Sequence, residues 1–281
     1  MATGAQPAAA IPGKLTELNF RFLRDYLYRE SGIVLEAGKE YLLESRLGPL
    51  VKQHQLGSLN NLCLALQKNR HVNLNREVVE AMTTNETMFF RDTALWEELR
   101  NTVLPELIAR NQATRRLRFW SAAASSGQEA HSLAIALMEM GLANWDIQIL
   151  GTDLSTQMVE RARQGRYSQL EVNRGMPTPL LVKYFVRDGL HWRVREDASR
   201  RIRFQQFDLR QKLTAFGPYD VVFCRNVLIY FDLETKRGIL KEIRRTLSPA
   251  GYLVLGSAES TLNLDDSFKR RPLARASFCQ V

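Results

Sequence analysis

The sequence predicts an α/β fold: a doubly wound, mostly parallel sheet that carries a small antiparallel β insert and is preceded by a small all-helical unit. Three observations predict it. From Lys14 to about Met82, apolar residues recur at helical spacing without strand alternation. Beyond Asp92, short apolar strands alternate with amphipathic helices. Between about Tyr167 and Phe207 that alternation breaks, and Asp188-Gly189 sits between two alternating runs, the strongest short hairpin signal.

The elements follow in order. The opening "MATGAQPAAAIPGK" is small and Pro/Gly-containing, without a basic n-region or a long apolar h-region, so it reads as a loose tail. Residues 1–13 are assigned to this tail, 14–81 to the helical unit, 82–281 to the α/β unit and about 167–207 to the insert. Leu15, Leu18, Phe22 and Tyr26 lie on one face of a first helix. A second helix runs through "GKEYLLESRLGPLVKQHQLG" with Gly57 as its stop. Ser58 caps a third, with Leu59, Leu62 and Leu66 inward, and Asn75 caps a short fourth. Asp92 then reads as the N-cap of a longer helix with Trp96, Leu99 and Val103 on one face. "RLRFWSAAA", "DIQILGTD", "YDVVFCRN" and "GYLVLG" read as strands. "QEAHSLAIALMEMG", "STQMVERARQG" and "LETKRGILKEIRRTL" read as helices, the second capped by Ser155 and stopped by Gly165. The insert is expected to have three strands, the last in "RRIRFQQF".

Composition narrows the function classes. No apolar run approaches the roughly 18 residues that cross a bilayer, so no membrane insertion is expected. Cys63, Cys224 and Cys279 are few, odd in number and far apart, which fits a reducing, cytoplasmic setting and excludes a disulfide or zinc framework. The net charge is +9 and the pI about 9.7, which suggests an acidic partner. From Arg161 to Arg203 there are 11 Lys/Arg against 4 Asp/Glu, so most of the excess lies in and beside the insert. That run is a solvated rim or a docking surface for an acidic partner.

The chemistry sits where strands end. "WSAAASSGQEAHS" lets backbone approach a ligand closely, and the helix that follows aims its first amides at the turn, an anion site for a carboxylate or phosphate. With one glycine it is not the dinucleotide fingerprint. Asp153 ends the second strand, placed either to accept from ribose hydroxyls or to cap a helix with Ser155. In "QQFDLR", Asp208 can accept from an adenine amino group while Leu209 packs on the ring. "FCRNVLIYFD" breaks from a buried strand into Arg225 and Asn226, with Tyr230 and Asp232 just beyond. The four elements together suggest a nucleoside-type cofactor. There is no P-loop and no metal-ligand spacing among four His and three Cys. S-adenosylmethionine fits better than a nucleotide, because its small polar amino-acid end suits a Ser/Ala turn with one acid, Glu129, nearby. His54, His71, His131 and His191 read as surface or cap residues rather than catalysts.

"TTNETMFFRD", "WSAAASSGQEAHSLA", "GTDLS", "FDLR", "FCRNVLIYFD" and "LSPAGYLVLGSAES" resemble, in order, the motifs of the CheR family, the chemotaxis-receptor glutamate O-methyltransferases. The resemblance runs from about Leu15 to Asp266, and its first and fifth motifs are highly specific. Two motifs depart: the usual Gly-Glu-Glu-Pro-Tyr is here Gly127-Gln128-Glu129-Ala130-His131, and the usual Gly-His-Ser-Glu is Gly256-Ser257-Ala258-Glu259. A third position, more often Asn in the family, is Asp208.

The resemblance implies a Rossmann-like class I methyltransferase domain that converts S-adenosyl-L-methionine to S-adenosyl-L-homocysteine. It implies cofactor contacts from Asn85, Thr87, Arg91, Glu129, Asp153, Asp208, Leu209, Arg225 and Asn226, and places Arg91 and Tyr230 at the point of methyl transfer. The substrate it implies is a glutamate on the cytoplasmic helical methylation region of membrane chemoreceptors. A basic helix of the front unit would read that region, here through Lys39, Arg46 and Lys52. In some family members the β insert binds a tether peptide at the receptor C terminus. A cytoplasmic monomer is expected. An RNA methyltransferase shares the cofactor fold, but the aromatic-basic interleaving in "GLHWRVRED" is brief and nucleic acid is not expected. A non-catalytic cofactor-binding scaffold would not need the intact Arg91 and Tyr230.

Overall fold

The computed structural model describes residues 14–68, 72–213, 216–271 and 277–281. The expected tail and His71 lie outside these. The chain divides into two compact units, one ending at Thr84 and one beginning at Asn85.

Among the described residues the first unit has four helices: α1 (Glu17–Ser31), α2 (Glu40–Gln53), α3 (Leu59–Gln67) and α4 (Val72–Met82). Its core is built from Phe20, Leu23, Leu27, Leu43, Leu47, Leu62, Leu74 and Val78. Of the stripe expected on α1, Leu15 and Tyr26 are buried and Phe22 packs partly against the core, but Leu18 does not join it. Phe20, Leu23 and Leu27 face inward, while Leu18, about 200° around the helix from Phe20, is 78% exposed. Thr16 caps α1, its Oγ1 accepting from Asn19 N at 3.3 Å. Ser58 caps α3 as expected. Asn75 is not a cap, because α4 begins at Val72 and so brings Leu74 inward one turn before Val78. Nor does Gly57 end α2, which stops at Gln53, with Gln55 already in the left-handed region at φ 54°.

The second unit opens with α5 (Thr93–Glu98), which passes through a wider π-helical turn, Leu99–Val103, into α6 (Leu104–Arg110). Then come β1 (Arg116–Ala122), α7 (Gln128–Glu139), β2 (Asp146–Asp153) and α8 (Thr156–Gln164). The insert follows: β3 (Arg166–Ser168), α9 (Gln169–Asn173), α10 (Thr178–Tyr184), β4 (Phe185–Asp188), β5 (His191–Val194) and α11 (Glu196–Ser199). The chain returns through β6 (Ile202–Gln206), β7 (Tyr219–Cys224), α12 (Leu233–Thr246), β8 (Leu247–Leu255), β9 (Lys269–Arg270) and β10 (Ser277–Gln280). The large sheet has the order β6-β2-β1-β7-β8-β10-β9. Its first five strands run parallel, and β10 pairs antiparallel with β8. Helices cover both faces: Phe119, Ile149, Val221 and Val254 pack on one side, and Trp120, Val222 and Leu253 pack against Ile239, Leu240 and Ile243 of α12 on the other.

The insert sheet is antiparallel, in the order β3-β5-β4, with the Asp188-Gly189 hairpin as expected. Its third strand is Arg166–Ser168, and β6, expected to belong to the insert, is instead the edge of the large sheet. The reason is a fit between strands. Gly151 of β2 stands opposite Phe204 of β6, and a Cβ at Gly151 would lie 2.5 Å from the Phe204 ring. The glycine leaves the space the ring fills, and that locks β6 beside β2.

His131 is not at the surface. It is 1% exposed, its ring edge-on to Tyr167 with centroids 5.9 Å apart, and Nε2 lies 3.4 Å from the Ala162 carbonyl. Burial lowers its pKa to about 4, against about 6.5 in an unfolded chain. The folded state therefore holds the ring neutral. The stability this contributes is complete above the unfolded pKa, drains as pH falls below it, and is gone below the folded pKa. In urea titrations, the unfolding free energies of the parent and of His131→Phe should converge or cross by about 2 kcal/mol in the variant's favour between pH 7 and pH 5. A constant difference would show that His131 carries no such titration.

Candidate active site

The sheet reverses its winding between β1 and β7, and the carboxyl ends of these two strands, in register at Ala122 and Cys224, open the crevice where such sheets bind ligands. Backbone strain gathers there. Among the described non-glycine residues at positive φ are Phe90 (48°), Asp92 (65°), Ala123 (62°), Ser125 (49°) and Asn226 (57°). Residues held in this region cost of order 1–3 kcal/mol each and persist only where neighbours over-determine them.

At the end of β1, the Ala-Ser turn is stitched to the end of β2. Ala124 N donates to the Thr152 carbonyl at 2.7 Å. The Asp153 carboxylate accepts from Ser125 N at 2.8 Å and from Ser155 N at 2.9 Å. Ser155 Oγ accepts from Met158 N at 3.2 Å and so caps α8. Asp153 thus braces two loops while standing at the strand end from which a ribose would be read. Ser125 Oγ donates to the Asn85 carbonyl at 2.8 Å, which ties the turn to the start of the unit. Gly127 begins α7 at φ 93°, and a Cβ there would meet Ala162 Cβ at 2.9 Å.

Arg225, directly after β7, is the centre of the arrangement. Its side chain is 2% exposed. Nη1 donates to Glu129 Oε2 at 2.7 Å, and Nη2 donates to the Arg91 carbonyl at 3.2 Å and to the Asp92 carboxylate. Glu129 Oε1 accepts from Ser121 Oγ at 2.7 Å. Asp92 holds the expected N-cap position of α5 but makes no side-chain capping bond, because its carboxylate turns back to Arg225. Arg225 Nε is buried without a hydrogen-bond partner.

Asn85, Thr87 and Arg91 are half-buried. The Arg91 backbone is fixed, its carbonyl accepting from Trp96 Nε1 at 3.0 Å as well as from Arg225, while its guanidinium makes a long contact, Nη1 to the Glu86 carbonyl at 3.4 Å, and lies near enough to the Glu86 carboxylate to help lower its pKa. Phe89 and Phe90 anchor this stretch. Phe89 is buried, edge-on to Tyr167 and Phe185 with centroids 4.9 and 5.6 Å apart, and Phe90 meets Trp96 edge-on at 5.3 Å. Gly175 of the insert closes against Phe89, since a Cβ there would lie 2.0 Å from the Phe89 carbonyl oxygen. Arg174 pairs with Glu86 at 2.7 Å and holds that carboxyl below its usual range.

Asp208 follows β6 and is gripped by Arg210, Nη2 to Oδ2 at 2.6 Å and Nε to both oxygens at 3.0 Å. Leu209 is buried beside it. Asn226 and Tyr230 are half-buried, with Tyr230 ending a short 3₁₀ turn, Leu228–Tyr230. Asp232 caps α12 through Thr235 N at 2.8 Å. The Cys224 thiol is pushed well up by burial and then by Glu259 and Glu129, so it is no nucleophile. Glu259, the last residue of the Gly256-Ser257-Ala258-Glu259 motif and assigned no role from the sequence, accepts four backbone N–H groups at this end of the sheet.

The expected docking cations lie in the helical unit. Lys52 is exposed and Lys39 pairs with Glu36 at 2.9 Å. Arg46 is bound within its own unit. Nη1 donates to the Met82 and Thr83 carbonyls at 2.7 and 3.3 Å, and Nη2 donates to Thr84 Oγ1 at 2.9 Å, so it clamps the end of α4.

The donor set fits S-adenosylmethionine. Carboxylates at the carboxyl ends of β1, β2 and β6 suit a cationic ligand with ribose and adenine groups to donate, and the orphaned Arg225 Nε marks a polar atom that only something further can satisfy. No lysine-and-glycine phosphate cradle competes with that reading, and no His/Cys/Asp/Glu cluster able to hold a metal occurs among the described residues.

Comparison with known proteins agrees. Residues 18–83 match the family described as CheR methyltransferase, all-alpha domain, and residues 85–276 the CheR methyltransferase, SAM binding domain. The chain is 44% identical over 257 residues to Chemotaxis protein methyltransferase 1 of Pseudomonas aeruginosa, covering 89% of this chain and 93% of that one. It is 42% identical to Chemotaxis protein methyltransferase Cher2 of Pseudomonas putida, covering 90% and 94%, and 31% identical to the chemotaxis protein methyltransferase of Escherichia coli, covering 92% and 89%. A helical unit, a strained crevice with an acidic rim and a buried arginine, and matches that span nearly the whole chain lead to one conclusion: this chain belongs to the CheR methyltransferase family and binds S-adenosylmethionine in its larger unit.

Proposed function

We propose that this protein methylates glutamate side chains of chemotaxis receptors, forming glutamate methyl esters. One observation carries the reading to a carboxylate acceptor: Arg91 has a backbone locked by Arg225 and Trp96, while its guanidinium is engaged by a 3.4 Å contact to the Glu86 carbonyl and the nearby Glu86 charge. A fixed stem with a loosely engaged planar cation is suited to orient an incoming carboxylate.

S-adenosylmethionine supplies a sulfonium methyl, whose bond to sulfur breaks with the electron pair staying on sulfur as the new oxygen–carbon bond forms. A glutamate, with a reference pKa of about 4.3, is already an anion at neutral pH, so no base is needed. The chain's task is alignment, which can be worth about 7–11 kcal/mol of the barrier. In this reading Arg91 steers the acceptor without fully pairing the attacking oxygen, and Tyr230 donates to the other. Asn85, Thr87, Glu129, Asp153, Asp208, Leu209, Arg225 and Asn226 hold the cofactor. Arg210 neutralises Asp208, which leaves a position in the family's more usual Asn with comparable charge balance.

The acceptor is the cytoplasmic helical region of the receptor. Lys39 and Lys52 of the helical unit offer it cationic contacts, with Arg46 shaping the unit instead. The basic insert offers a surface for a short receptor C-terminal peptide, its Arg187 stacked over Trp192 at 4.1 Å. Among the described residues no helix is long and apolar enough to cross a membrane, and we place the protein in the cytoplasm as a monomer.

Labelled S-adenosylmethionine with a receptor methylation-region fragment should give product that releases volatile methanol in mild base; base-stable label would overturn the reading. Arg91→Ala should lower turnover by about 100-fold or more, and normal turnover would remove Arg91 from its role. For Tyr230→Phe, the loss in kcat should exceed by about tenfold any loss in S-adenosylmethionine affinity measured by calorimetry. Equal losses would make Tyr230 a binding residue only.

A further inference from the structure

One carboxylate organises the turn that presents Asn226 and Tyr230. Glu259, 8% exposed, accepts from Asn226 N and Gly256 N through Oε2, both at 2.8 Å, and from Val227 N and Leu228 N through Oε1 at 2.9 and 2.8 Å. A carboxylate offers about four lone-pair sites, and here each has a backbone donor. Three of those donors are successive. With Asn226 at φ 57°, the amides of Asn226, Val227 and Leu228 converge on one point, a concave arrangement of N–H groups that calls for an anion at its centre. The anion comes from beyond β8, 33 residues along the chain from Asn226. The approach leaves no slack: a Cβ on Gly256 would lie 2.7 Å from Glu259 Oε2 and 2.8 Å from Asn226 Nδ2.

We infer that Glu259 is a positioning residue for methyl transfer. It fills the amide concavity after β7 and so sets both the left-handed backbone of Asn226 and the 3₁₀ turn that ends in Tyr230. The inference rests on the proposed roles of Asn226 toward the cofactor and of Tyr230 toward the acceptor. Without the carboxylate, four backbone amides would lose their acceptor, and the strained Asn226 would relax toward ordinary φ. Both side chains would then swing out of line.

Glu259→Gln keeps the size of the side chain but sets an amide NH₂ against two N–H donors. Assayed well below the melting transition, with near-UV circular dichroism confirming the fold, it should lose about 10- to 100-fold in kcat at saturating S-adenosylmethionine and acceptor. The double variant Glu259→Gln/Tyr230→Phe should be within about threefold of Tyr230→Phe alone, because both remove one presented hydroxyl. A purely structural Glu259 would lower the melting temperature, yet leave kcat of the folded protein intact or multiply with the Tyr230 loss; either result overturns the inference. If Tyr230→Phe alone turns over normally, the proposed role of Tyr230 falls. Glu259 then stands on calorimetry with S-adenosylmethionine and no acceptor, where at least about tenfold weaker binding by Glu259→Gln supports it and unchanged binding refutes it. Should Glu259→Gln fail to fold, Gly256→Ala, whose methyl pushes on the same carboxylate, is read by the same criteria.

Discussion

The Arg225 guanidinium is the interaction on which the rest of the crevice depends. A charge this deeply buried is tolerable only when it is paired and hydrogen-bonded, since breaking a buried pair by removing one partner typically costs about 3–5 kcal/mol. Arg225 has two carboxylates, Glu129 and Asp92, and a carbonyl, that of Arg91. Those partners come from two places in the chain: the first turn of α7, and two neighbouring residues of the "TTNETMFFRD" stretch. Satisfying one cation therefore fixes the backbone of Arg91 relative to β7 and α7 together. The same demand explains why Asp92 gives up a side-chain capping bond. A cap is worth about 1 kcal/mol, less than the penalty for leaving Arg225 short of an anion.

The insert contributes to this frame from the other side. Phe89 is sunk among Tyr167 and Phe185, the Phe89 carbonyl meets a glycine that no larger residue could replace without displacement, and Arg174 pairs with Glu86. Glu86 in turn lends its carbonyl to the Arg91 guanidinium. The basic insert is thus part of the mounting of Arg91 as well as a charged surface. That gives its position in the fold, directly after α8 and packed against the stretch from Phe89, a physical reason independent of any peptide it binds.

Much of this was legible in the sequence, for a reason particular to each element. β2 spans Asp146–Asp153 as read, because an apolar run ends in a carboxylate that cannot continue into the core. Ser155 and Gly165 bound α8 because cap chemistry acts locally. What escaped was set by distant partners. β6 looked like a third insert strand because it is short and basic, and its true neighbour is chosen by the fit of Phe204 over Gly151, 53 positions away in the chain. Leu18 shares helical spacing with Leu15 and Phe22, but packing selected the stripe through Phe20. His131 looked polar and is core. Glu259 belongs to a motif in the sequence, but its role escaped, because three of its four donors follow the neighbouring strand β7, about 30 residues earlier.

The strain at Phe90, Asp92, Ala123, Ser125 and Asn226 suits the chemistry proposed for the crevice. In the proposed reaction between an existing anion and a sulfonium no proton moves, so a poised acid or base would add nothing, and Glu129 is engaged by Ser121 and Arg225. What such a reaction does need is fixed distance and direction. Left-handed backbone at non-glycine residues provides it, because each strained residue holds its conformation only while its amide and carbonyl keep their assigned partners: Ser132 Oγ for Phe90 N, Asp153 for Ser125 N, Glu259 for Asn226 N. The buried charges of this site are therefore anchors for backbone, and in the proposed reading the loosely held guanidinium of Arg91 is the group that meets the substrate.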